Sequence, residues 1–267
     1  MTITALEIRN LTKKFKRGTT GVTALDDVSL SIGKGEFVSI VGASGCGKST
    51  LLRLVDGLTG ASSGDVLIGG QPMHKPGPDR AFVFQQDCLF PFRTVIDNVT
   101  FGLDIQGISK RVARDKGREL MNLVGLSGFE DHFPHELSGG MRQRANLARA
   151  LAVDPEVLLM DEPFAALDGQ TRELMQEELL RIWEQSRKTV LFVTHQIDEA
   201  VYLSDRVIVM TARPGRVKAE VRIDLPRPRA LSMKRSPELS AHEETIWDLI
   251  QEEVKESMRL ERLRGKH

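Results

Sequence analysis

Between residues 42 and 50 the chain reads Gly42-Ala43-Ser44-Gly45-Cys46-Gly47-Lys48-Ser49-Thr50. The glycines let the backbone turn tightly and aim successive N–H groups at one point. A helix that starts there adds its positive end, and the two together cradle phosphate oxygens. The spacing matches G-x-x-x-x-G-K-[ST], in which Lys48 brings a full positive charge and Ser49 a hydroxyl suited to Mg²⁺ on the outer phosphates. Gly42, Ser44, Gly45, Cys46, Gly47, Lys48, Ser49 and Thr50 are therefore the expected contacts of a nucleoside triphosphate. Cys46, at the helix start, is also expected to favour the thiolate and to react with alkylating agents unless nucleotide covers it.

Hydrolysis needs a metal-orienting group and a base. Val157-Leu158-Leu159-Met160-Asp161-Glu162 is an apolar run ending in two carboxylates. It predicts a strand whose end puts Asp161 on the water shell of Mg²⁺ and Glu162 toward the γ-phosphate as general base. His195 ends a second apolar run, from Thr189 to Thr194, and would reach the γ-phosphate or the attacking water. Gln85 ends a third, from Ala81 to Phe84. Its amide can donate to the water and coordinate the metal through oxygen, and Gln86 competes for that role. A second phosphate site is written in Leu137-Ser138-Gly139-Gly140-Met141-Arg142-Gln143, where a hydroxyl and two glycines open a helix. One compact domain cannot easily aim both helix starts at one nucleotide, whereas a head-to-tail pair can do so twice.

These groups need a scaffold. Alternating apolar residues at Leu6, Ile8 and Phe15, then Val28, Leu30 and Ile32, predict two early antiparallel strands. Phe37 to Val41 predicts a buried strand feeding the glycine loop and a helix with Leu51, Leu52 and Leu54. From about residue 94 to 152 the pattern is helical, with Leu120, Leu123 and Val124 on one face. Strand runs return at 157–160, 189–193 and 207–210, separated by helical stretches. The expected class is α/β, a P-loop NTPase core with a mostly parallel sheet, an antiparallel β subdomain and an inserted α-helical subdomain. The catalytic domain is expected to span 1–225, with the helical part at about 94–152. Residues 226–267 form an extension. Arg213-Pro214-Gly215-Arg216 reads as a hairpin turn, Pro226-Arg227-Pro228-Arg229 as an extended stretch where the core ends, and Ile246, Trp247, Leu249, Ile250 and Val254 as the apolar stripe of a tail helix packing on its own domain.

With 37 basic and 37 acidic residues among 267, the chain has no net field to recruit nucleic acid, and none is expected as a partner. No apolar run approaches the roughly 20 residues that span a bilayer. Residues 1–10, with acidic Glu7, are not expected to form a secretion leader. Two cysteines, Cys46 and Cys88, do not make a disulfide framework, and the chain is expected to stay in the cytoplasm.

From about Leu6 to Val217 these motifs together resemble the ATP-binding cassette (ABC) family. The resemblance implies that Ser138 and Gly140 of one subunit, with Gly139 beside them, contact the γ-phosphate held by Lys48 of another, so that two ATPs are buried in the pair. It also implies that Phe15 stacks on adenine, that Gln85 is the Q-loop glutamine, that Ala165-Ala166-Leu167-Asp168 is the D-loop and that His195 is the switch histidine. Met141 stands where many members have glutamine. Leu89-Phe90-Pro91-Phe92-Arg93-Thr94-Val95 carries two aromatics beside a proline and suits a groove for a short helix of another protein; in the family's transporters a coupling helix of the membrane subunit lies there. The segments 210–216 and 224–229, with Ile246-Trp247, are similar to the ATPases of nitrate, sulfonate, taurine and bicarbonate importers. That similarity implies separate permease subunits, a solute-binding protein acting indirectly, a homodimer or a dimer with a close paralogue, and a peripheral place on the cytoplasmic face of the cell membrane. The competing reading is a soluble ABC ATPase without a permease; the lack of a heptad run and of a second cassette speaks against most of that class.

Overall fold

The computed structural model describes residues 3–17 and 20–264; Met1 and Thr2, the start of the segment read as leaderless, lie outside them. In chain order the elements are β1 (Thr4–Arg17), β2 (Thr20–Gly33), β3 (Phe37–Gly42), α1 (Lys48–Asp56), β4 (Ser63–Ile68), β5 (Gln71–Pro72), β6 (Arg80–Val83), α2 (Val95–Val99), α3 (Phe101–Ile105), α4 (Lys110–Leu123), α5 (Gly139–Ala152), β7 (Val157–Asp161), α6 (Gly169–Ser186), β8 (Thr189–Val193), α7 (Ile197–Leu203), β9 (Arg206–Met210), β10 (Val217–Arg222) and α8 (Pro237–Arg264). They fall into two compact bodies, residues 1–77 with 188–267 and residues 78–187. No helix among the described residues is long and apolar enough to cross a membrane.

The first body contains an antiparallel sheet in the order β2-β1-β4-β5. Leu6, Ile8 and Leu11 on β1 face Ile32, Leu30 and Val28 on β2, and all six are buried. The same body holds the strand order β10-β9-β3-β8, in which β3 is parallel to β8 and to β9 while β10 returns antiparallel. Residues 37–41 and 189–193 are buried throughout. Strands covered on both faces are expected to read as unbroken apolar runs, which is why these two are plain in the sequence. Ile40 is level with Val193 on one side and Ile208 on the other, so all three strands end at one edge. Helix α1 turns Leu51, Leu52, Leu54 and Val55 inward and stops at Gly57, whose left-handed φ of 83° lets its N–H donate to the Leu54 carbonyl.

Beyond the expected domain boundary at residue 225, Arg229 is buried. Nη1 of Arg229 donates to the carbonyls of Val201, Tyr202 and Ser204 at 3.1, 2.9 and 2.8 Å, satisfying the last turn of α7. The tail helix begins at Pro237 and packs on its own body through Leu239, Ile246 and Ile250. Trp247, read as part of that stripe, is 53% exposed. Its neighbour Ile246 already faces the core, and one step along a helix rotates the next side chain by roughly 100°.

In the second body β6 and β7 pair in parallel, with Val83 level with Met160. Helix α5 buries Ala145, Ala148 and Leu151. Helix α2 is capped by Thr94, whose hydroxyl accepts from the Asp97 N–H at 3.3 Å, and α6 by Asp168, which accepts from the Thr171 N–H at 3.0 Å.

Candidate nucleotide site

In the first body the glycine loop leaves β3 and runs into α1, at the edge where β8 also ends. His195 lies two residues past the end of β8 and is exposed at that edge. At Gly47, the residue before α1, φ is 114° and a Cβ would come within 2.7 Å of the Leu25 side chain and 3.0 Å of the Ala24 carbonyl. Only glycine fits there. Lys48 is buried, and its Nζ donates to the carbonyls of Gly42 and Ala43 at 2.8 and 3.2 Å. Gly42, Cys46, Ser49 and Thr50 belong to the same turn and first helical residues, while Ser44 and Gly45 are exposed on its outer side. Phe15 is 43% exposed on β1, and the Lys13 ammonium stands 4.9 Å from its ring centroid, so the aromatic is not a core residue.

In the second body the register of β6 and β7 does the positioning. Val83 and Met160 are level, and Gln85 and Glu162 each lie two residues beyond that matched pair. Asp161 ends β7 and is buried. Glu162 has a left-handed φ of 46°, a conformation uncommon for a side-chain-bearing residue and often tied to function. Gln86 is exposed like Gln85. Ser138 is exposed at the start of α5, where its hydroxyl accepts from the Met141 N–H at 3.3 Å, with Gly139 and Gly140 forming the first turn.

Comparison with known proteins decides the family. The ABC transporter family profile matches residues 25–165. The aliphatic sulfonates import ATP-binding protein of Bacillus cereus is 45% identical over 225 residues, covering 84% of this chain and 88% of that protein. The nitrate import ATP-binding protein of Synechocystis sp. is 46% identical over 253 residues, covering 92% and 94%. A dimeric post-hydrolysis structure of an ATP-binding cassette with ADP and Pi superposes with a TM-score of 0.73 at 35% identity, covering 83% of this chain and all of that one. The chain belongs to the ABC transporter family. It is an ATP-binding cassette, an ATPase of the α/β class.

Sequence reasoning missed several groups of the cassette that hold its motifs. Arg142 joins the helix start to the segment after β6, its Nε on Asp87 at 2.8 Å and its Nη1 on the Leu137 carbonyl at 2.7 Å. Gln143 donates to the Gln85 carbonyl at 3.4 Å, and Arg149 to the carbonyls of Cys88 and Asp87 at 2.8 and 3.2 Å. Burial lowers the Arg149 pKa against the opposing pull of Cys88 and Asp87. Asn98, fully buried, accepts from the Phe90 N–H at 2.7 Å and donates to the carbonyls of Phe90, Arg93 and Thr94 at 3.1, 3.2 and 3.0 Å. It thereby shapes a loop on which Phe92 stands 73% exposed. The arginines at 142 and 149 in the helix after Ser138 could have signalled part of this, but Asp87 and Cys88, which they reach, lie more than fifty residues away and leave no local trace.

The reactive-thiolate expectation for Cys46 is corrected. Its side chain is 1% exposed, and burial pushes the thiol up by more than Lys48 and the nearby backbone N–H groups pull it down. Both cysteines are free, and Cys88 is the exposed one.

Proposed function

We propose that the cassette is the motor subunit of an importer, pairing around two ATPs and docking on permease subunits at the cytoplasmic face of the membrane to energise uptake of a small anion such as nitrate, a sulfonate, taurine or bicarbonate. The observation that carries the nucleotide chemistry is the buried Lys48 ammonium folded onto the carbonyls of its own loop. Those two contacts hold the charge in place until phosphate oxygens replace them.

Each residue then has one task. Backbone N–H groups from Gly42 to Thr50 bind phosphate oxygens, Phe15 offers a face to adenine, and Lys48 neutralises the outer phosphates. Glu162 takes the proton of the attacking water, and His195 and Gln85 orient that water and the γ-phosphate. Ser49, Gln85 and Asp161 offer a hydroxyl, an amide oxygen and a carboxylate, the hard oxygen donors that Mg²⁺ prefers, and Asp161 is buried at a strand end. Bound there, Mg²⁺ would offset the charge that develops on the transferred phosphoryl group. Ser138, Gly139 and Gly140 present a helix start to a γ-phosphate held by a partner subunit, a reading supported by the dimeric relative.

Docking is supported by Phe92, exposed beside Phe90 with ring centroids 5.8 Å apart, on a loop fixed from beneath by Asn98. The test is to purify the cassette with candidate permease subunits and measure ATPase rate alone and in complex, with Glu162→Gln as control. Mg²⁺-dependent turnover that the variant loses and the permease alters is the expected result. Robust turnover with no membrane subunit retained would favour a soluble ABC ATPase instead.

A further inference from the structure

The turn between β9 and β10 lies against the outer side of the phosphate loop, within the first body. Nε and Nη2 of Arg213 both donate to the Gly45 carbonyl, at 3.3 and 3.0 Å. Gly215 donates to the Ala24 carbonyl at 2.9 Å and accepts from the Asp26 N–H at 3.0 Å; a Cβ there would come within 2.1 Å of the Cys46 carbonyl. Two consecutive loop carbonyls, Gly45 and Cys46, are thus covered from outside by one turn. The turn is tied internally by Thr211, whose hydroxyl donates to the Pro214 carbonyl at 2.9 Å and accepts from the Arg216 N–H at 3.0 Å.

The tail helix holds this turn in place. On α8 the carboxylate of Glu253 accepts from the Ala212 N–H at 2.7 Å and from Lys218 Nζ at 2.7 Å, and Lys218 also donates to the Leu249 carbonyl at 2.8 Å. One turn further along, the Ser257 hydroxyl is 3.5 Å from the Ser44 carbonyl.

A phosphate loop works by aiming N–H groups inward, which turns carbonyls outward. Each peptide unit is planar, so a carbonyl held from outside fixes the N–H of the following residue. The peptide from Gly45 to Cys46 is held at both ends, its carbonyl by Arg213 and its N–H by the Ala43 carbonyl at 3.2 Å. We infer that Arg213 is a positioning residue for the phosphate loop and that α8, through Glu253, fastens it there, so that the C-terminal tail sets how tightly the loop grips nucleotide. The inference rests on the nucleotide reading of that loop.

The experiment measures, in the full chain, the KM and kcat for ATP and the Kd of a fluorescent ATP analogue for Arg213→Ala, Arg213→Lys, Glu253→Ala, the Arg213→Ala/Glu253→Ala double variant and Lys48→Ala. Loss of a charge-assisted bond should raise KM and Kd roughly five-fold in Arg213→Ala, with kcat within about two-fold of the parent. Arg213→Lys, with one compact donor group, should fall between. Glu253→Ala should shift KM in the same direction, and the double variant should be no worse than the more affected single one, because both act through one contact. A role in folding alone would lower the active fraction, and so kcat, at unchanged KM; that result in Arg213→Ala, or in Glu253→Ala if the former does not fold, overturns the inference. Lys48→Ala separates the two failures. If it loses analogue binding while Arg213→Ala keeps parental affinity, only this inference fails; if Lys48→Ala binds normally, the nucleotide reading fails with it.

Discussion

Two helices in this molecule start beside glycines and are the proposed contacts for phosphate, and they are built differently. Helix α1 follows Gly47 with no side-chain cap, and its first residue is the buried Lys48. Helix α5 follows Ser138, which caps the Met141 N–H with its own hydroxyl, and the nearest cation, Arg142, is turned away onto Asp87 and the Leu137 carbonyl. The first start leaves donors uncapped and keeps a charge beside them, as a primary phosphate site requires. The second satisfies part of its own need and brings no free cation, so it can add to the binding of a phosphate held elsewhere but cannot hold one alone. On the proposed reading, that difference lets one chain carry two phosphate-facing motifs without two nucleotide sites of its own.

Removing the lysine should do the most damage. Lys48→Ala is expected to weaken ATP binding about 100-fold, the roughly 3 kcal/mol of a strong charge-assisted contact, read by titration with a fluorescent analogue; parental affinity would erase the distinction between the two helix starts. Ser138→Ala should lower ATPase turnover of the assembled cassette about ten-fold while leaving the affinity of the monomer for nucleotide unchanged, with a stability cost of about 1 kcal/mol from the lost cap. A parallel loss of monomer affinity would mean that α5 belongs to a primary site. The mildest test is chemical. Under limiting iodoacetamide at neutral pH, mass spectrometry should find Cys88 alkylated well before Cys46, because one is exposed and the other is buried with its thiol pushed up; equal rates would mean the phosphate loop opens readily in solution.

What could be read in advance depended on distance along the chain. The glycine loop, the Asp161-Glu162 strand end and the Ser138-Gly139-Gly140 helix start are contiguous motifs, and the strands around them are unbroken apolar runs. The early hairpin announced itself by alternation at Leu6, Ile8, Leu30 and Ile32. By contrast, Arg213 on Gly45 joins residues 168 apart in sequence, and Glu253 on Ala212 joins residues 41 apart. An arginine in a Pro-Gly turn and a glutamate in a charged helix look like solvated surface until the partner is known. The left-handed backbone of Glu162 has no sequence cue at all. Cys46 was misjudged for another reason: a helix start draws a thiol toward the thiolate, but desolvation outweighs that pull here, and burial is the property least visible in a glycine-rich segment.

On the proposed mechanism two copies close around ATP, each completing the other's phosphate site. Glu162→Gln removes the base but leaves every binding group, so analytical ultracentrifugation of that variant gives the most direct reading. The expected result is a monomer in buffer and a stable dimer in ATP, with a bound nucleotide in each subunit after rapid gel filtration. A monomer at saturating ATP, with nucleotide bound, would contradict it.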